Sequence, residues 1–150
     1  MDLRILIVDD EPANRQVLEQ ALTAFGHRAA VAEDGPVALE LLARSRFDAV
    51  LLDLHMPLMS GLEVLRRFRA ARGPNRETPA ACVTADVLTR RPDAYLDLGF
   101  QAFLAKPVQI AKLAAVIDKI TASSIAEQRR LRTAAKLTAL QRRMGALPLA

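Results

Sequence analysis

The chain predicts an α/β fold: a five-stranded parallel sheet covered by helices on both faces. Two observations carry that expectation. Five short apolar runs, Leu3–Val8, Arg28–Ala32, Phe47–Leu52, Ala80–Thr84 and Ala102–Ala105, alternate with segments of helical period. The first and third are nearly continuous apolar stretches, as strands buried on both faces should be.

The first helix follows from Val17, Leu18, Ala21, Leu22 and Phe25, which fall on one helical face, with Gly26 behind them as the residue that ends it. Val37–Ala43 repeats the pattern after the opening turn Asp34-Gly35. Leu62–Phe68 does so after Ser60 and Glu63, which have the spacing of a capping box. The fourth helical segment, Val87–Leu98, contains Pro92, which lacks an amide hydrogen and should break or restart the helix nearby. A fifth helix begins after Pro107 and is expected to bury Ile110, Leu113, Val116, Ile117 and Ile120.

Beyond about Thr121 the segment Ala122-Ser123-Ser124 interrupts the pattern, and Glu127–Met144 resumes as helix, rich in Ala, Leu, Arg and Gln. The expected organisation is one domain over 1–121 and a helical tail over 122–150. A heptad frame through Ile110, Leu113, Ile117 and Ile120 runs next onto Ser124 and Glu127. The later set Leu137, Leu140 and Met144 needs a shifted frame, which argues against one long coiled coil.

The net charge of +4 is unevenly spread. Residues 1–118 hold 14 Lys/Arg against 16 Asp/Glu, a net of −2, and residues 119–150 hold 7 against 1, a net of +6. A mildly acidic globular part leaves no footprint for nucleic acid, so the basicity belongs to the tail. No window has the apolar length of a membrane span, and the start lacks the layout of a signal peptide, so the expectation is cytoplasmic. Cys82, the single cysteine, lies in an apolar run and reads as a small buried hydrophobe.

Chemistry concentrates at the carboxyl ends of the strands, where open parallel sheets bind ligands. The first strand ends in Asp9-Asp10-Glu11 and the third in Asp53. Glu11 with Pro12 reads as the start of a helix. Asp9, Asp10 and Asp53 together would repel one another unless protonated or neutralised by a cation, and Mg²⁺, a hard ion that prefers oxygen, is the economical choice. The fourth strand adds the hydroxyl of Thr84 and the fifth the ammonium of Lys106. A phosphoryl group on a carboxylate exposes three oxygens, which a metal, a hydroxyl and an ammonium would together satisfy.

These residues carry a resemblance. Val8-Asp9-Asp10-Glu11-Pro12 with Asn14-Arg15, Leu52-Asp53-Leu54-His55-Met56-Pro57 with Met59-Ser60-Gly61, Thr84-Ala85, and Lys106-Pro107 occur in order at the spacing of the response-regulator receiver family. The chain resembles that family over about residues 3–121. The resemblance implies the flavodoxin-like strand order 2-1-3-4-5. It also implies that Asp53 accepts a phosphoryl group from a histidine kinase or histidine phosphotransfer protein, in a phosphorelay. By the same resemblance Asp10 ligates Mg²⁺ directly, Asp9 acts chiefly through water, and His55 offers its backbone carbonyl. Thr84 would bond a phosphoryl oxygen and Lys106 pair with the phosphate. Thr84 and Phe103 would form the switch that alters the face made by the fourth helix, fifth strand and fifth helix. Such a protein catalyses only its own phosphorylation and dephosphorylation.

His55 and Asp86, each two residues beyond a site residue, are placed to tune hydrolysis. A helix-turn-helix effector needs more chain than the tail provides; the tail instead suggests a helix used for dimerisation, a linker, or a basic arm. A homodimer would form through the switch face or this helix. Two other functions compete. One is a docking scaffold that keeps the fold without phosphotransfer. The other is an Asp-nucleophile phosphatase, which would place Asp-x-Asp after its first strand, where this chain has adjacent Asp9-Asp10.

Overall fold

The structure, a computed structural model, describes residues 2–85 and 92–145. The chain divides into two compact units, Met1–Ile120 and Thr121–Ala150. In the first unit β1 (Arg4–Val8), β2 (Arg28–Ala32), β3 (Ala49–Asp53), β4 (Ala80–Thr84) and β5 (Ala102–Ala105) form one parallel sheet in the order β2-β1-β3-β4-β5. Every residue of β3 and β4 is buried, as their unbroken apolar runs require. Cys82 is among them, fully buried.

The helices α1 (Pro12–Ala24), α2 (Gly35–Arg44) and α3 (Gly61–Ala70) begin at local signals. Glu11 is the N-cap of α1, with Pro12 in the first turn. The Asp34 carboxylate accepts from the Val37 amide at 3.0 Å, and the Ser60 hydroxyl accepts from the Glu63 amide at 3.2 Å. At the far end of α1, His27 N–H donates to Leu22 and Gly26 N–H to Thr23, both at 3.0 Å, with Gly26 at φ +87°. That pair of bonds is a Schellman motif, and its left-handed residue is where glycine costs least.

Several expectations are corrected. β3 is Ala49–Asp53 and does not include Phe47, whose N–H goes to the Asn75 side chain (2.8 Å); the bonding to β1 begins one residue later, with Asp48 N–H donating to Arg4 O (2.7 Å). Val17 is 51% exposed although its neighbours Leu18, Ala21 and Leu22 are buried, so the inner face of α1 is narrower than the sequence suggests. Ile110, at the start of α5 (Ile110–Gly145), is 48% exposed, whereas Leu113, Ile117 and Ile120 are buried. The helix is also continuous through Ala122-Ser123-Ser124. Serine lowers helix stability by only about 0.5 kcal/mol per residue, which does not terminate a long helix. The described part of α4 is Pro92–Asp97, starting at a residue suited to a first turn; positions 87–91 of the expected helix lie outside the described residues.

Asn75 was not singled out from sequence, yet it ties together the end of the sheet remote from the acidic cluster. Its Oδ1 accepts from Phe47 N–H (2.8 Å) and Thr78 Oγ1 (3.0 Å), while Nδ2 donates to the carbonyls of Leu42 and Ser45, each at 2.6 Å. The side chain satisfies buried main-chain groups that no ladder reaches.

Candidate functional site

Register places the acids. Val8 pairs with Leu52, so the next residues, Asp9 and Asp53, emerge side by side at the same edge of the sheet. Thr84 pairs with Ala105, and Lys106 N–H donates to Thr84 O at 2.9 Å, which puts the Lys106 side chain at that edge too. The five residues expected from sequence are thus carried by four adjacent strand ends.

The Lys106 ammonium bridges two carboxylates, 2.9 Å from Asp9 Oδ2 and 3.1 Å from Asp53 Oδ2. The other oxygen of each acid is held by main chain: Asp9 Oδ1 accepts from Glu11 N–H at 2.9 Å, and Asp53 Oδ1 from His55 N–H at 3.2 Å. Arg15 donates to the Asp9 carbonyl at 2.7 Å, fixing the backbone of the acidic turn. Sequence reasoning named Arg15 only as part of a motif; its reach back across six residues is what the fold adds.

Asp9 and Asp53 are buried, at 1% and 4% exposure, and Thr84 is fully buried. Ligand atoms of Asp9, Asp10 and Asp53 lie within 4.8 Å of one another. Burial raises the Asp53 carboxyl from 3.8 to about 6, opposed by the hydrogen bond and charge of Lys106 and assisted by the charge of Asp9. Burial works against the Lys106 ammonium as well, but its contacts to Asp9 and Asp53 outweigh this and raise its pKa. Among the described residues, Asp9 Oδ2 meets only the Lys106 ammonium. The crowded carboxylate oxygens of Asp9, Asp10 and Asp53, with a single ammonium between two of them, fit a hard divalent cation.

The loop after Asp53 is shaped by close approach. A Cβ on Gly61 would stand 2.2 Å from the Asp53 carbonyl oxygen, so only glycine lets α3 begin there. Gly61 N–H donates to Leu54 O at 3.0 Å. Leu58 in the same loop has φ +69° and is 89% exposed, a strained conformation beside the acidic edge. Phe103, half-buried on β5, stacks on the buried Tyr95 ring at 5.2 Å between centroids and 15° between planes. His55 is exposed, and Asp86 lies outside the described residues.

Acidic turn, lone strand-end aspartate, threonine and lysine on a 2-1-3-4-5 sheet define the receiver class, and the chain belongs to the response regulator receiver domain family of two-component systems, which matches residues 5–118. Among its relatives is the sensory/regulatory protein RpfC of Xanthomonas campestris, 37% identical over 123 residues, covering 81% of this chain and 17% of RpfC. The response regulator MprA of Mycobacterium tuberculosis is 38% identical over 115 residues, covering 77% of this chain and 49% of MprA. The chain thus spans half or less of these relatives' length. Among solved structures, the receiver domain of the sensor histidine kinase PA1611 from Pseudomonas aeruginosa superposes with a TM-score of 0.73 at 31% identity, over 81% of this chain and 99% of that one. That structure has a magnesium ion coordinated in its active-site cleft. Among the described residues, no helix is long and apolar enough to cross a membrane.

Proposed function

We propose that the domain at 1–121 is a phosphoacceptor in a two-component phosphorelay, taking a phosphoryl group on Asp53 from a histidine kinase or histidine phosphotransfer protein. The observation that carries this reading is the convergence of Asp9, Asp53 and Lys106 within 3.1 Å contacts beside Thr84. A carboxylate oxygen of Asp53 attacks phosphorus, the bond from phosphorus to the donor nitrogen breaks, and the imidazole leaves as the aspartyl phosphate forms. Lys106 exchanges its contact with Asp53 for one with the phosphoryl group, and the Thr84 hydroxyl meets a second phosphoryl oxygen. Asp10 and Asp53 would hold Mg²⁺ with the His55 main-chain carbonyl, Asp9 acting chiefly through water, and the bound ion would supply positive charge against the phosphoryl oxygens.

Thr84 and Phe103 then act as the switch that alters the surface of α4, β5 and α5. The Phe103–Tyr95 stack supports this, because it joins the β5 ring directly to a side chain of α4. His55 and Asp86 remain proposed tuners of hydrolysis. The setting is cytoplasmic, consistent with a kinase partner that uses ATP.

The test is to mix the purified protein with acetyl phosphate, with and without Mg²⁺, and read intact mass. One phosphoryl adduct, dependent on Mg²⁺ and labile in alkali as an acyl phosphate is, is the expected result. No adduct under any condition would overturn the reading in favour of a docking scaffold, and sustained hydrolysis of a phosphomonoester would favour a phosphatase.

Metal binding should also depend on pH. A proton on Asp53 competes with the cation, and the metal-free carboxyl titrates at about 6. Calorimetry should therefore find Mg²⁺ affinity about tenfold lower at pH 5 than at pH 7.5. Equal affinity at both would show that Asp53 is not a ligand.

A further inference from the structure

From Ala126 to Gly145 every described residue of α5 is exposed, and among the described residues the second unit has no other element to cover it. Leu137, Leu140 and Met144, spaced i, i+3, i+7, are 54%, 51% and 60% exposed and lie within about 60° of arc. They make a short apolar seam.

One flank of that seam is basic. Arg129, Lys136 and Arg143 recur at intervals of seven, so they form a row beside the seam, within about 40° of arc. The other flank carries Glu127, Ala134 and Gln141 at the same interval. Glu127 is the segment's one acid and pairs with Arg130 at 2.5 Å; among the described residues no ion pair engages Arg129, Lys136 or Arg143.

A second copy is a poor occupant. The positions that continue the seam toward the amino end are Thr133 and Arg130, so two copies in register would bury facing guanidiniums beside a short apolar stretch. An anionic bilayer is a poorer match, because the flank opposite the row presents Glu127, Ala134 and Gln141, the arginine nearest the seam on that side, Arg130, is paired with Glu127, and Arg142 stands on the far face of the helix. A partner helix reads one flank at a time.

We propose that residues 126–145 form a docking helix for an acidic amphipathic helix of another protein. Its apolar face covers Leu137, Leu140 and Met144, and its row of Glu or Asp pairs with Arg129, Lys136 and Arg143. Complementary flanking charge selects the partner and its orientation, while the seam supplies the buried contact.

The probes are two synthetic helical peptides with leucine core positions, one flanked by Glu and one by Lys, titrated against the full chain. The Glu peptide should bind and the Lys peptide should not, and raising salt from about 50 to about 500 mM should weaken binding at least tenfold. The triple variant Arg129→Glu, Lys136→Glu, Arg143→Glu, checked by circular dichroism for retained helix, should exchange the preference and take the Lys peptide. Leu137→Ala with Leu140→Ala should abolish both. Equal binding of the two peptides, no binding of either, or a preference unchanged by charge reversal would overturn the proposal. So would self-association without peptide, or tighter binding to phosphatidylglycerol vesicles or duplex DNA than to the Glu peptide.

Discussion

Asp53→Asn is expected to abolish the phosphoryl adduct and, at the same time, to make the metal-free protein more stable above pH 7. The first effect follows from the proposed chemistry, since an amide offers no anionic oxygen to phosphorus. The second follows from where Asp53 sits. The unfolded carboxyl titrates near 3.8 and the folded one near 6, because burial penalises the charged form more than Lys106 rewards it. The folded state therefore holds the extra proton between those values, and stability falls as pH rises through that window. Above it the charged Asp53 costs the metal-free fold about 3 kcal/mol at most.

Asn removes that cost but weakens one Lys106 contact, leaving Lys106 its pairing with Asp9. A net gain of about 1–2 kcal/mol is expected at pH 8, seen as a melting temperature higher by roughly 3–6 °C, and close to none at pH 4.5. Added Mg²⁺ should raise the melting temperature of the wild type and much less that of the variant. A variant that still takes a phosphoryl group from acetyl phosphate would move the acceptor to another residue. A variant less stable than wild type at pH 8 would show that the carboxylate is better compensated than its burial implies.

Gly61→Ala is the second large effect. The added methyl would meet the Asp53 carbonyl oxygen at 2.2 Å, its carbon at 3.0 Å and Leu54 Cα at 3.1 Å, all main chain, so no side chain can give way. Either the start of α3 moves off or the end of β3 does. The expected loss is about 3 kcal/mol, near 10 °C in melting temperature. Phosphorylation should slow about tenfold as the Asp53 carboxylate loses its alignment with Lys106. Gly73→Ala is the control: nothing lies within 4 Å of its Cβ, and it should melt like the wild type. If Gly61→Ala also melts like the wild type, the close approach of α3 to Asp53 is wrong.

Much of this architecture is legible in the amino-acid order because its determinants are local. Strands buried on both faces must be apolar throughout, so β1, β3 and β4 show as uninterrupted runs. Helix starts at Asp34 and Ser60 depend on one side chain reaching an amide three residues on. The acids, the threonine and the lysine stand at strand ends, and a parallel sheet brings all such ends to one edge. Strand order came by resemblance, since periodicity carries no information about which strands are neighbours.

Other features depend on partners distant in the chain. Val17 and Ile110 have core-like spacing but are half exposed, because how far a helix face is covered depends on the elements beside it. Asn75 is one polar residue in a loop until three main-chain groups of the distant stretch 42–47 converge on it, beside the hydroxyl of Thr78 in its own loop. Gly61 has an ordinary backbone conformation, and its necessity lies in the distance to a carbonyl eight residues earlier. The two serines at 123–124 look like a break because serine favours turns, yet the helix runs through them, since serine's weaker helix preference costs less than giving up the hydrogen bonds of a continuous helix. The sequence by itself determined which chemical groups stand at the sheet edge. The tertiary structure decided that Lys106 lies between Asp9 and Asp53, because strand register sets that distance and burial then makes their charges interdependent.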